Sequence, residues 1–96
     1  MRVVTGTTEQ QPWEAAKANR GAWVEVSEER WSYCLEVLPP IYYPGGFAVS
    51  EASWHDGRGR AVYLCLSTVN GKHYAQEMTI ADAVRETAAL RQELGA

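Results

Sequence analysis

The chain has 96 residues, of which 46% are hydrophobic and 22% are charged, so its composition is that of a folded protein and not of a disordered one. This length provides one hydrophobic core and excludes a second, and we predict a single domain over residues 1–96. The net charge of -3 argues against unaided binding to nucleic acid, because Lys and Arg side chains supply most of that affinity.

The first predicted elements are a short helix and a short strand. Pro12 stands early in a run of helix-forming alanines that Gly21 ends, which predicts a helix around residues 12–19. The alternating and partly β-branched residues 22–26 then predict a strand.

A second helix is predicted after this strand. Ser27 is a typical N-cap, and the two glutamates that follow it suit the positive end of a helix. The helix cannot continue through Pro39 and Pro40. Four residues recur at spacings of three and four and predict the side that docks on a sheet: Trp31, Cys34, Leu35 and Leu38.

Three extended runs and a last helix make up the C-terminal half. The runs cover residues 47–55, 60–69 and 72–78, and Asn70-Gly71 between the last two predicts a type I′ hairpin. Thr79 then begins an amphipathic helix whose apolar face recurs at three and four: Ile80, Ala83, Thr87, Leu90 and Leu94.

This order of elements lacks the alternation of strand and helix that parallel sheets require. We therefore expect the α+β class, with a three- or four-stranded antiparallel meander packed with two or three helices.

The Asn70-Gly71 turn fixes which residues share a face of the hairpin, because it pairs Val69 with Lys72 and Leu64 with Glu77. The first face is predicted to be the core and carries Val62, Leu64, Leu66, His73, Ala75 and Glu77. The second face carries Tyr63, Cys65, Ser67, Tyr74, Gln76 and Met78.

The second face also offers a candidate binding surface. If His55 pairs with Arg60, Trp54 joins Tyr63, Tyr74 and Met78 there, and clusters of large aromatic residues are typical of recognition surfaces. Two alternatives remain open: a helix covers this face, or the face forms a homodimer.

An enzymatic or metal-binding interpretation rests on two glutamates and two histidines. Glu51 and Glu77 would flank Leu64, with His55 and His73 on the same face, which supplies groups for acid-base catalysis or metal binding. The two glutamate backbones would lie roughly 10 Å apart, two strand spacings, so solvated charges are the favoured interpretation. Asp56 is expected to accept hydrogen bonds from its own turn. We assign no catalytic residue, metal ligand or cofactor.

Two further segments have a functional and a structural interpretation. Arg58 and Arg60 stand near a hairpin tip, where they could contact phosphate or carboxylate, although a solvated turn is favoured. The apolar residues 38–44 could form a docking edge or a structural strap that closes the core, and the strap is favoured.

The chain also carries no targeting signal that we recognise. Residues 1–6 lack the apolar segment of a signal peptide, and no apolar run approaches the roughly 20 residues of a membrane span. Cys34 and Cys65 lie far apart without the spacing of metal ligands, so buried free thiols are expected in place of a disulfide. We predict a cytoplasmic protein.

A set of segments in the middle of the chain is distinctive: Trp-Val-Glu-Val at 23–26, Tyr33, Glu-Val-Leu-Pro-Pro at 36–40, and Gly-Phe-Ala-Val-Ser-Glu at 46–51. These segments resemble a small bacterial family catalogued as a domain of unknown function and numbered 1419. The resemblance implies that relatives occur on proteobacterial chromosomes and plasmids, and it implies no activity or functional residue.

From these observations we predict a non-enzymatic accessory factor that binds a protein. One specific version is a mobile-element inhibitor of a host nucleoprotein complex, similar to an anti-CRISPR, in which Glu25, Glu28 and Glu29 occupy a basic surface meant for nucleic acid. The alternatives are a metal-binding protein or hydrolase that uses the glutamate and histidine set above, and a homodimeric structural module.

Overall fold

A computed structural model describes residues 2–55 and 57–96, leaving out the side chains of Thr5 and of residues 51–53. Within these ranges the strands are β1 (Arg2–Thr8), β2 (Ala22–Val26), β3 (Pro40–Tyr43), β4 (Phe47–His55), β5 (Ala61–Val69) and β6 (Lys72–Met78). The helices are α1 (Pro12–Ala18), α2 (Glu28–Val37) and α3 (Ile80–Glu93).

The strands form one sheet in the order β1-β2-β6-β5-β4-β3. The β1 and β2 strands are parallel, and all other neighbouring pairs are antiparallel. The α+β class is confirmed. The expected meander of three or four strands is wrong, because β1 and β3 were not predicted and extend the sheet to a mixed sheet of six strands.

The β1 strand begins a β-α-β unit that the element order was said to lack. Val3 and Val4 pair with Trp23 and Val24, and α1 provides the crossover that a parallel connection needs. The pairing shifts register between Val4 and Thr7, where Gly6 adopts a φ of +87° that favours glycine.

Within the described residues, β3 is one edge of the sheet and pairs with β4 alone. Pro40 is its first residue, a position where the missing N–H of proline is tolerated. Ile41 and Tyr42 are 58% and 73% exposed, so the expected strap does not close the core with these two side chains.

The helix boundaries follow the predicted caps. The Ser27 hydroxyl accepts a hydrogen bond from the Arg30 backbone N–H at 3.3 Å, and the Thr79 hydroxyl accepts one from the Asp82 N–H at 3.1 Å. Both predicted docking faces are confirmed, because Trp31 and Cys34 of α2, and Ala83, Thr87 and Leu90 of α3, are buried.

The predicted β5–β6 hairpin is also confirmed. Val69 lies opposite Lys72 and Leu64 opposite Glu77, as the two-residue turn requires. Asn70 and Gly71 have φ values of 53° and 76°, the two positive values that a type I′ turn needs.

The predicted β4–β5 register is wrong by one residue. His55 lies opposite Ala61 and not Arg60, and Trp54 lies opposite Val62. A shift of one residue moves each side chain to the other face of the sheet. Trp54 is therefore on the same face as Leu64 and Glu77, away from Tyr63 and Tyr74.

Helices cover both faces of the sheet. On one face α3 packs on a cluster that includes Trp23, Phe47, Cys65, Tyr74 and Met78. On the other face α1 and α2 pack on a cluster that includes Val26, Leu64, Leu66 and Ala75. The alternative that a helix covers the aromatic face is thus confirmed. The prediction that this face is exposed is wrong, because Tyr74 and Met78 are buried and Tyr63 packs against the same core.

None of the helices in the described ranges is both long enough and apolar enough to cross a membrane.

Candidate functional site

The structure does not bring the predicted acid-base set together. His55 is exposed at the end of β4, His73 lies at the start of β6, and Glu77 lies at its other end. The side chain of Glu51 and all of Asp56 lie outside the described residues. Among the residues that are described, no group of three His, Cys, Asp or Glu side chains could hold a metal ion.

Glu77 is instead fixed by contacts within the fold. Its side chain is only 5% exposed, Arg20 Nε lies 2.9 Å from its Oε1, and the Trp54 indole N–H donates to its Oε2. Lys17 Nζ lies 4.6 Å from the centre of the Trp54 ring, close enough for a cation-π contact. Glu77 therefore joins the α1–β2 turn and β4 to the end of β6, and Lys17 of α1 contacts the same Trp54 ring.

His73 lies in the middle of a chain of three polar groups. Its Nε2 is 2.5 Å from Glu28 Oε2, and its Nδ1 is 2.8 Å from Thr68 Oγ1. The ring also stacks on Trp31, with 4.4 Å between ring centres. Carboxylate, imidazole and hydroxyl stand here in the order that hydrolase triads use.

The three predicted acidic binding residues differ in their surroundings. Glu25 accepts a hydrogen bond from the Thr7 hydroxyl at 2.7 Å and lies 4.0 Å from Lys72 Nζ. Glu28 is paired with His73 but is 75% exposed, and Glu29 is exposed on the first turn of α2. Only Glu28 and Glu29 thus form an outward acidic patch.

A cavity of about 220 Å³ opens beside the β3 edge, and we refer to it as the edge groove. Its lining is mainly apolar and includes Trp31, Leu35, Tyr42, Tyr43, Phe47 and Leu66. Tyr43 stacks on Phe47 with 5.3 Å between ring centres, which holds this wall in place. Thr68, whose hydroxyl lies next to His73, also lines the groove.

Arg91 is the charged residue of the edge groove. It comes from the last turn of α3 and packs beside Gly46, where an added Cβ would lie 3.1 Å from its Nη1. No ion pair involves Arg91 in the part of the chain that the structure describes. The groove therefore combines an apolar lining with one cation that can accept a carboxylate.

A second cavity, of about 470 Å³, lies where β2 begins and β6 ends, and we refer to it as the end pocket. It is polar, and its charged lining residues are Arg20, Arg58, Arg60, Glu77, Asp82 and Glu86. The buried side chain of Gln76 also lines it. Both predicted arginines of the β4–β5 connection thus line a cavity.

Both cysteines are free and buried, as predicted. Burial raises the pKa of the Cys34 thiol to about 11 and that of Cys65 to about 12. Burial and the nearby charge of Glu25 raise the pKa of Tyr74. These groups stay protonated at neutral pH, so neither thiol has the ionised form that a nucleophile needs.

Sequence reasoning did not single out Arg91, and it expected an exposed aromatic cluster on the face that α3 covers. A single arginine near a helix end is too common to indicate a site. The run Pro-Pro-Ile-Tyr-Tyr did carry a signal, since proline at the start of an apolar β-rich run marks an edge strand.

Comparison with known protein families gives a match. The model of a family described as "Protein of unknown function (DUF1419)" matches residues 2–82. No curated protein and no solved structure matches the chain.

Proposed function

Because the chain belongs to the DUF1419 family, whose description states no activity, we propose from the geometry alone that it binds an extended segment of another protein along β3 and the edge groove. The observation that carries this proposal is the unpaired edge of β3, whose exposed residues Ile41 and Tyr42 stand next to an apolar cavity.

An edge strand presents backbone N–H and C=O groups to a further strand. Many recognition domains bind peptides by adding a strand in this way, with pockets that accept alternate side chains. Ile41 and Tyr42 lie on opposite faces of the sheet, so an added strand could contact an exposed apolar side chain on each face. Burying these two side chains supplies the hydrophobic part of the binding energy.

The charge of the groove specifies the partner further. Arg91 supplies the positive charge in an otherwise apolar lining, and a guanidinium group binds a carboxylate through two parallel hydrogen bonds. The expected partner is therefore an extended segment in which apolar residues alternate with polar ones and an Asp or Glu lies near the apolar anchor.

A second copy of this chain fits the same edge less well. If two β3 strands paired with each other, each would offer the sequence Pro-Ile-Tyr-Tyr, which contains no carboxylate for Arg91. We therefore commit to a different protein as the partner, and dimerisation becomes an outcome of the test.

The proposal can be tested with synthetic extended peptides of alternating Leu and Thr that carry one Asp, compared with the same peptides carrying Lys in its place. We expect the Asp peptides to bind and to shift the amide resonances of β3 and of the groove in two-dimensional NMR spectra. The Ile41→Lys substitution should weaken binding at least about tenfold, because it puts a charge on the contact surface.

Val84→Lys is the matched control, since Val84 is also β-branched and is 59% exposed on α3, away from β3. This variant should bind like the wild type. If both variants lose peptide binding equally, or if the resonance shifts lie away from β3, the proposal is contradicted. A dimer in light scattering that Ile41→Lys converts to a monomer would show that a second copy occupies the edge.

We also keep the inhibitor version as a narrower proposal, with a basic nucleic-acid-binding protein as the partner in the cytoplasm. Its support is the net charge of -3 and the exposed pair Glu28 and Glu29. Binding of this kind should weaken steeply with added salt and be lost on Glu28→Lys with Glu29→Lys. Binding at the edge groove should change little with added salt or with the two substitutions.

The chain Glu28–His73–Thr68 favours a second candidate function, an ester hydrolase that uses the edge groove. Thr68 Oγ1 would bond to the carbonyl carbon of the ester while its proton passes to His73 Nδ1 and then to the departing alcohol. Water would complete the reaction by the same route in reverse, releasing the acid from Thr68.

This candidate is tested by the hydrolysis of p-nitrophenyl acetate. Thr68→Val removes the hydroxyl with almost no change in shape and should abolish turnover, whereas Ser32→Ala on the exposed side of α2 should not. Equal rates in wild type and Thr68→Val would exclude the hydrolase and leave Glu28, His73 and Thr68 as contacts that join α2 to the hairpin.

A further inference from the structure

The free edge of the sheet stops at the turn of residues 44–46. Tyr43 is the last residue of β3, and the chain reverses through this turn into β4. A strand added along β3 therefore has no backbone to pair with beyond Tyr43. At this point a bound segment either leaves the sheet or ends.

Arg91 lies beside the same turn. Its guanidinium packs so close to Gly46 that an added Cβ there would lie 3.1 Å from Nη1. Among the described residues that line the edge groove, Arg91 alone is charged, and it has no ion pair within the described ranges. The free edge of β3 thus ends next to an uncompensated positive charge.

This charge distinguishes the two directions in which a segment that ends at the turn can add to β3. In the antiparallel direction its N-terminal ammonium would lie near Arg91, and the two positive charges would repel each other. In the parallel direction its C-terminal carboxylate lies there, and a guanidinium group binds a carboxylate through two parallel hydrogen bonds. The parallel direction is therefore favoured.

The turn itself leaves room for a carboxylate. Gly45 and Gly46 have φ values of 104° and 87°, which favour glycine, and neither has a side chain that would keep a ligand away from the backbone. Their N–H groups have no acceptor in the part of the chain that the structure describes. Backbone N–H groups of turns are known partners of C-terminal carboxylates.

The size of the edge groove suits a side chain better than a whole small molecule. Its volume of about 220 Å³ is below the roughly 300–1,000 Å³ of small-molecule sites. Because the lining is mainly apolar, the groove can accept one or two apolar side chains next to a carboxylate at Arg91.

We propose that the edge groove binds the free C-terminus of a partner protein, whose last residues add to β3 in the parallel direction. The terminal α-carboxylate pairs with Arg91, and the last side chain is apolar and enters the groove. This inference rests on the proposed function, which allows an internal Asp or Glu in the same place. The terminal carboxylate suits the site better, because the segment then ends where the edge ends.

The experiment compares three N-acetylated peptides of alternating Leu and Thr that end in Leu, by isothermal titration of the full wild-type chain. The first has a free C-terminal acid, the second a C-terminal amide, and the third an amide and one internal Asp. We expect the acid peptide to bind at least about tenfold more tightly than either of the others. A nitroxide at its N-terminus should broaden the amide resonance of Ile41 and leave that of Gly46 sharp.

Two variants then test the role of Arg91. Arg91→Gln should abolish the preference for the acid peptide over the amide peptide. Arg85→Gln is the matched control, because it removes a 71% exposed arginine from the same helix, and it should keep the preference. The preference is a ratio measured within each variant, so a small loss of stability does not change it.

The outcomes separate this inference from the proposed function. If the amide peptide or the Asp peptide binds at β3 as tightly as the acid peptide, binding of a free C-terminus is overturned and the proposed function stands. If no peptide shifts the resonances of β3, both are overturned. Octanoate has a carboxylate and an apolar tail but no backbone to pair with β3, so tighter binding of octanoate than of the acid peptide would also overturn the inference.

Discussion

The two faces of the sheet are covered in different ways. One face is covered by α3, a single helix of 14 residues that buries Ala83, Thr87 and Leu90. The other face is covered by α1 and α2, which have 7 and 10 residues. The α2 helix buries only Trp31 and Cys34 and leaves Tyr33 and Val37 exposed.

This difference bears on stability and on the proposed binding. A long helix with a continuous buried stripe removes most of its apolar surface from water, which stabilises the fold. Two short helices cover less of their face, and Trp31 and Leu35 of α2 line the edge groove together with Phe47 and Arg91 from the α3 side. We therefore expect the face covered by α1 and α2 to contribute less to stability, while the proposed partner binds at the sheet edge between the two faces.

The largest expected effect compares one leucine from each face. Leu90→Ala should lower the free energy of unfolding by about 3 kcal/mol. Leu90 is fully buried on the sheet-facing side of α3, and its truncation leaves a cavity. Leu35→Ala should cost about 1 kcal/mol, since Leu35 is half-buried on α2. Urea unfolding measures both values, and equal losses would show that the two faces are equally important for stability.

The next effect concerns the carboxylate that joins the less covered face to the end pocket. Glu77→Ala should cost about 2 kcal/mol, because it leaves the Trp54 indole N–H and the Arg20 guanidinium without their acceptor. Glu77→Gln keeps an acceptor for Trp54 and should cost about half as much. If both variants unfold at the wild-type urea concentration, Glu77 does not contribute to stability.

The smallest effect uses the two thiols, one on each face. Their folded pKa values of about 11 and about 12 lie above the ordinary value of 9.0, so the thiols add stability that is fully present below pH 9 and is lost as the pH rises. At pH 10 each should cost about 1 kcal/mol relative to pH 8. Tyr74, whose pKa is also raised, adds to this loss at higher pH.

Urea unfolding of Cys34→Ala and Cys65→Ala at both pH values assigns the loss to each thiol. Each variant should lose less stability than the wild type between pH 8 and pH 10. If both variants keep the pH dependence of the wild type, the thiols ionise as readily in the folded state as in the unfolded state.

Much of the fold was predictable because its signals are local. The caps Ser27 and Thr79, the Asn70-Gly71 turn and the apolar stripes of α2 and α3 each act within a few residues of chain. A turn of two residues also fixes a register without reference to the rest of the molecule.

The prediction failed where pairing depends on distant parts of the chain. The residues of β1 are rich in Val and Thr and favour a strand, but nothing near them indicates that β2 is the partner. The longer β4–β5 connection does not fix its register, and one residue of slip put Trp54 on the wrong face.

The candidate sites were harder to predict than the fold. Arg58 and Arg60 were recognised as possible ligand contacts, but their neighbours in the end pocket come from β6 and α3. Arg91 reaches the edge groove only because α3 packs across the sheet toward the β3–β4 turn. Neither arrangement has a spacing that a sequence pattern could reveal.

The sequence by itself determined the three helices, four of the six strands, the β5–β6 register and the buried free thiols, because periodicity, caps and a two-residue turn specify them locally. Only the tertiary structure decided that β1 and β3 complete the sheet, that both faces are covered, and that an edge groove and an end pocket remain open. Those features arise from contacts between residues far apart in the chain, and local patterns do not specify such contacts.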